Sequence, residues 1–264
     1  METEAEARPA CYYYPFLRID GSHVLFTGAS SGIGAALAVE LTRRGAKVAG
    51  VSRRGDVRAD LADAAERKRA YDEVLARLGR VDILINNAGV GLYEPSWRAS
   101  DQLVRRMFEV NFFAALDFTQ HAVPAMRQRG SGLIVNVASI ASKVTLPWFT
   151  LYSASKAALE SFTRGLRIEL RGSGVGAMLV CPGYVKTQFQ ASVLAGNVPP
   201  KLAHSKQFAS TPENVARAVA DGVERGARTV LVPAVMGWGF VAASKVAPDL
   251  IDARMAAMME DGDD

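Results

Sequence analysis

The chain has 264 residues, of which 49% are hydrophobic and 22% charged, and it carries a formal net charge of +4. This composition excludes a disordered chain, and the length suits one doubly wound α/β domain. The excess of cations is mild and its pairs, such as Arg43-Arg44 and Arg105-Arg106, are short, so a nucleic-acid partner is excluded and these pairs read as solvated helix faces.

In chain order, residues 1–20 hold Glu2, Glu4 and Glu6 followed by Tyr12-Tyr13-Tyr14. With no basic start and no long apolar run they are not a signal peptide. They read as an N-terminal extension to a single domain spanning residues 21–264. His23 to Thr27 predicts a strand that ends in glycine. Ile33, Ala36, Leu37 and Leu41 then share one helical face, and Gly45 stops that helix. Ala46 to Val51 predicts a second strand, Asp56 to Ala59 a short third and residues 62–78 a charged amphipathic helix. Val81 to Ile85 is apolar throughout, as expected of a strand covered on both faces.

Residues 101–129 predict one long helix entered through Ser100, with Pro124 kinking or breaking it. Leu133 to Val137 predicts the fifth strand, residues 152–171 a long helix, Val175 to Val180 the sixth strand and residues 188–211 an irregular, mobile loop. Thr211 and Pro212 open a helix to Glu224, and Thr229 to Val232 predicts the seventh strand. Residues 235–247 are apolar but interrupted by Lys245. They are too short for the roughly 18–20 apolar residues of a membrane span and read as a buried helix or a lid. Glu260 to Asp264 reads as a frayed end. The alternation predicts a Rossmann-like, doubly wound, mostly parallel seven-stranded sheet with helices on both faces. Cys11 and Cys181 belong to no disulfide framework, which points to a reducing, cytoplasmic setting, and the three histidines show no metal-ligand spacing.

Between the first strand and the first helix stands Thr27-Gly28-Ala29-Ser30-Ser31-Gly32-Ile33-Gly34. Glycines here permit a tight turn and close approach, and the free N–H groups of the helix start favour a pyrophosphate. The second strand ends Ser52-Arg53-Arg54, where an acidic residue would bond the ribose 2′-hydroxyl of NAD. Arg53 instead offers a planar fork to a 2′-phosphate, so NADP(H) is expected over NAD(H). Tyr152 and Lys156, four residues apart near a helix start, place phenol and ammonium on one face. The ammonium is expected to lower the phenol from its usual value of about 10. Ser139, at the end of the fifth strand, can hydrogen-bond a substrate oxygen, and Asn111, a poor residue for mid-helix, suggests a kink held by water.

These motifs resemble the short-chain dehydrogenase/reductase family over roughly residues 20–235. The resemblance implies that Asn111, Ser139, Tyr152 and Lys156 form a catalytic tetrad. Tyr152 would be the general acid/base, Lys156 would also bond the nicotinamide ribose, and Asn111 would position a relay water. It further implies that Asp60 and Leu61 lie beside the adenine, and that Asn86-Asn87-Ala88-Gly89 lines the cofactor. Pro182-Gly183 would line the cofactor, and the Val185 backbone and Thr187 would hold the carboxamide. The connection from the second strand to Asp60 is too short for the family's usual intervening helix. A small carbonyl or alcohol substrate and a homodimer or homotetramer paired through helices 101–129 and 152–171 are implied as well.

Ile140, Trp148, Phe149, Tyr184, Phe189, Trp238 and Phe240 are candidate pocket walls, and their apolar character suggests a lipophilic substrate. No cation obviously awaits a substrate anion, Arg98 and Lys143 being the candidates that remain, which disfavours carrier-bound acyl groups. The competing readings are a non-catalytic dinucleotide sensor or scaffold, a 3-oxoacyl-thioester reductase of the same family and a sugar-nucleotide epimerase, for which the chain is short. The joint presence of Tyr152 and Lys156 disfavours the first.

Overall fold

The computed structural model describes residues 17–197 and 209–257. The tyrosine run, Cys11, Pro199-Pro200, His204 and the acidic end lie outside the described residues. Seven strands alternate with helices. They are β1 (His23–Thr27), β2 (Lys47–Ser52), β3 (Val57–Arg58), β4 (Ile83–Asn86), β5 (Gly132–Val137), β6 (Val175–Pro182) and β7 (Thr229–Val232). They form one sheet in the order β3-β2-β1-β4-β5-β6-β7, and every pairing between them is parallel.

The period of two along each strand divides the core. Val24 and Phe26 of β1, with Ile83, Ile85, Leu133 and Val135, pack beneath α1 (Gly32–Arg43) and α6 (Pro212–Glu224). Leu25, Leu84 and Ile134 face the other side, against α2 (Ala64–Leu78), α4 (Ala114–Arg129) and α5 (Thr150–Glu169). Each of these fully buried side chains contributes roughly 1.5–3 kcal/mol. The chain turns from one half of the sheet to the other between β1 and β4. Such a switch point opens a crevice at the C-terminal ends of the strands.

The expected single helix over 101–129 is three pieces: α3 (Asp101–Phe108), a π-helical segment (Glu109–Phe113) and α4. The irregularity falls at Asn111. α4 continues unbroken through Pro124, because the carbonyl that this proline leaves unbonded belongs to Gln120, which is exposed to water like Pro124 itself. Ser100 stands at the start of α3 but its side chain makes no capping bond. The segment after β6 is more ordered than expected. Residues 188–192 form a short 3₁₀ turn, and residues 192–195 exchange backbone hydrogen bonds with residues 91–93. β2 passes to β3 through a short turn, and Asp63 caps α2 by accepting from the Ala65 and Glu66 N–H groups. The apolar run 235–247 falls in α7 (Ala234–Val246), followed by α8 (Pro248–Ala257). α7 is not a buried helix: Val241 packs inward, but Trp238 and Val246 are exposed. Among the described residues no helix is long and apolar enough to cross a membrane.

Candidate active site

A cleft of about 1030 Å³ runs along the C-terminal ends of the strands. Every residue expected to hold a cofactor lines it except Gly34, Arg54 and the buried Asn86, and so do Ser139, Tyr152 and Lys156. The glycine turn forms one part of its floor. Gly28 takes φ +73°, and a side chain on Gly34 would drive its Cβ to 2.0 Å from the Gly28 carbonyl oxygen. Gly34 thus works from beneath, letting α1 press against the turn. The Asn87 side chain donates to the Thr27 carbonyl, and Thr27 Oγ1 accepts from the Asn87 and Ala88 N–H groups, which fastens the turn to the end of β4.

The protein leaves groups here that suit a nicotinamide dinucleotide. Ser31, at the N-cap of α1, makes no side-chain capping bond, so the N–H groups of the helix start have no side-chain acceptor. Ser52 Oγ is buried without a hydrogen-bond partner at the end of β2. Arg53 lines the cleft beside it, whereas Arg54 points elsewhere and is exposed. Asp60, expected beside the adenine, is bound by Arg106 at 2.7 Å and by the Ala62 N–H at 3.1 Å.

At the opposite end, Tyr152 and Lys156 are buried on α5. Lys156 Nζ donates to the Val137 carbonyl at 3.0 Å and stands 5.8 Å from the centre of the Tyr152 ring. Burial pushes the Tyr152 phenol up to about 12, against the pull of the Ser139 hydroxyl, and burial pushes Lys156 down to about 8. The expected lowering of the phenol is therefore corrected: loss of water outweighs the Ser139 hydrogen bond. Ser139 Oγ also accepts from the Ala141 N–H, which fixes its rotamer at the end of β5. Phe149 lies stacked between Tyr93 and Tyr152, with ring centres 4.1 Å and 4.0 Å away, and Phe189 meets Tyr152 edge-on at 5.8 Å. The phenol is thus held flat between apolar walls.

Asn111 stands behind this wall. Its Oδ1 accepts from Val90 N, and its Nδ2 donates to Val90 O and to Ser155 Oγ, which in turn donates to the Tyr152 carbonyl. Both amide protons are spent. The π turn places this side chain where it joins the loop after β4 to α5.

Ile140, Phe149, Tyr184, Phe189 and Phe240 line the cleft as expected, but Trp148 and Trp238 do not. Trp148 takes φ 55°, in the left-handed region, and among the described residues of α7 those lining the cleft are Gly237 and Phe240. The expected absence of a cation on the substrate side is also corrected. Lys143 is paired with Glu160 at 2.6 Å and Arg98 lies off the cleft, but Arg254 of α8 lines it. Tyr93 and Arg106 are further cleft residues that sequence reasoning missed, since nothing local marks them. Asn136 was missed differently. It donates to Thr163 and accepts from Asn86 across the β4–β5 pair, and one amide in each of two apolar strands was the signal.

The short chain dehydrogenase family model matches residues 55–197. A ketoacyl reductase, HetN, of Nostoc sp. is 35% identical over 81% of this chain and 79% of its own length. A short chain dehydrogenase from Burkholderia cenocepacia, solved in complex with NADP, matches with a TM-score of 0.75 and 29% identity, covering 90% of this chain and 99% of that one. A short chain dehydrogenase/reductase from Burkholderia phymatum, solved with NAD, gives 0.77 and 26% over 89% and 96%.

Proposed function

The chain belongs to the short chain dehydrogenase family and is an oxidoreductase of CH–OH and keto groups, and on that premise we propose that it interconverts a lipophilic ketone or aldehyde with its alcohol, using NADP(H) in preference to NAD(H). The observation that carries this reading is the joint lining of one cleft by the glycine turn, Ser139, Tyr152 and Lys156. Ser31, Gly32 and Ile33 would hold the pyrophosphate, Arg53 the 2′-phosphate, Lys156 the nicotinamide ribose, and Val185 and Thr187 the carboxamide. When bound, the dinucleotide supplies or accepts the hydride.

The protein's own groups handle the oxygen and its proton. Ser139 orients the carbonyl oxygen and donates to it as charge develops. Tyr152 delivers the proton in reduction and removes it in oxidation. A protonated Lys156 stabilises the phenolate left by that delivery, and a phenol first raised to about 12 makes such help necessary. Asn111 retains one Oδ1 lone pair for a relay water near Lys156. Phe149, Phe189, Leu146 and Phe240 exclude bulk water and match an apolar substrate. The exposed Phe113 and Ile168, on the π segment and on α5, support pairing of two chains through these helices, which light scattering would measure.

A panel of ketones and aldehydes tested with NADPH and NADH checks the reading. Turnover of apolar carbonyls with NADPH is expected, and none with either nucleotide would overturn it in favour of a sensor or scaffold. Arg254 favours a second reading, reduction of a 3-oxoacyl thioester, whose carrier is anionic. A 3-oxoacyl-CoA turned over far faster than any simple ketone would establish that reading.

A further inference from the structure

The adenosine end of the cleft holds a charge arrangement that none of the cofactor motifs includes. Asp60 is the only carboxylate among the described residues lining the cleft. Its Oδ2 accepts from Arg106 Nη2 at 2.7 Å, its Oδ1 accepts from the Ala62 N–H, and its backbone N–H donates to Glu66. Burial pushes this carboxyl up. The Arg106 hydrogen bond, the Ala62 N–H and the charges of Arg106 and Arg53 outweigh that and hold it below the usual value, so it is ionised at neutral pH. An ionised carboxylate facing the place that Arg53 offers to a phosphate is a standing repulsion unless a cation cancels it.

We propose that Arg106 is a specificity-determining residue, which by cancelling the charge of Asp60 leaves the Arg53 cation available to a 2′-phosphate. The inference rests on the NADP(H) reading above. Among the side chains lining this end of the cleft, two guanidiniums against one carboxylate leave a net cation, and without Arg106 that lining is neutral. Arg106 comes from α3 and reaches the cleft with its side chain 40% exposed. Among the described residues Asp60 is that side chain's one hydrogen-bond acceptor, reached through Nη2 alone. Arg67 is a useful contrast. It is buried and donates to the Leu61 carbonyl, Glu109 and Asp117, so it pins the same loop from behind without facing the cleft. Arg67 supplies the rigidity, and Arg106 supplies the charge.

The test is a fluorescence titration of NADPH and NADH against the full chain and its Arg106→Gln, Asp60→Asn and double variants. Arg106→Gln is expected to weaken NADPH about tenfold while NADH changes less than about twofold. Asp60→Asn should move the NADPH:NADH ratio severalfold the other way, since any loss of an adenine contact would affect both nucleotides alike. The double variant should return the ratio to within about threefold of the parent. An unchanged ratio in Arg106→Gln overturns the proposal. So does a double variant that stays as weak as Arg106→Gln, because that result means a direct contact to the phosphate. The underlying reading fails separately, through a parent protein that prefers NADH. Even then the charge argument requires Arg106→Gln to shift the ratio further toward NADH. Asp60→Asn keeps the inference testable if Arg106→Gln does not fold.

Discussion

The two ends of the cleft are built differently. At the end that holds Tyr152, this residue, Lys156, Ser155 and Asn111 are all buried, and the Asn111 and Ser155 side chains link Val90 to the Tyr152 carbonyl through hydrogen bonds. At the adenosine end Arg53 is exposed, and Asp60 and Arg106 keep 36% and 40% of their side chains in solvent. Proton chemistry needs fixed distances and little water, whereas choosing between nucleotides needs only a charge balance at the edge of solvent. The first end should therefore break with large, geometry-dependent losses and the second with modest, salt-dependent ones.

The sharpest break is Tyr152→Phe. It removes the proton and leaves the stacking on Phe149, so kcat should fall about thousandfold with NADPH affinity nearly unchanged. Loss of less than tenfold in turnover would remove the phenol from the reaction. Next comes Asn111→Ala, which strands the half-buried Val90 N–H and carbonyl. A cost of about 2–3 kcal/mol is expected, near the low end of about 1–3 kcal/mol for each of the two groups, because Val90 is only partly buried. It should appear as a lower Tm together with a reduced kcat, and an unchanged Tm would show that the π turn holds itself.

The pH profile sharpens the same end. Lys156 is lowered to about 8 by burial, so it is charged below that pH and neutral above it. Reduction measured as kcat/KM should decline as pH rises through about 8, since phenolate left by Tyr152 loses its counter-charge. Lys156→Arg stays protonated throughout. Whatever its absolute rate, it should carry this limb above pH 10. A limb that stays near pH 8 in the variant would assign it to another group.

The difference between the ends also explains what the sequence disclosed. Tyr152 and Lys156 sit four apart on a helix, and the strands read directly from their apolar runs, because local periodicity determines both. Asn111 was legible as an anomaly, but its partners Val90 and Ser155 were not, because a π turn and a loop 21 residues away bring them together. Arg106 is 46 residues from Asp60 and looks like any helix-surface arginine. Pro124 shows the opposite case, where the expected break is absent because the helix face that carries it is exposed.

Arg53→Gln gives the smallest effect and bears most directly on the contrast. A charge-assisted hydrogen bond is worth about 1.5–3 kcal/mol when protected, but Arg53 is exposed and water and salt screen it. The expectation is thus at the low end, an NADPH Kd raised about tenfold with NADH within about twofold. The loss should shrink further as ionic strength rises from low to physiological, because screening already weakens the contact in the parent. Titrations at two salt concentrations separate this from a structural role. A structural role would weaken both nucleotides equally and ignore salt. If instead Arg53→Gln cost NADPH a hundredfold or more, independent of salt, the adenosine end would be a protected, rigid site like its counterpart, and the division drawn between the two ends would not hold.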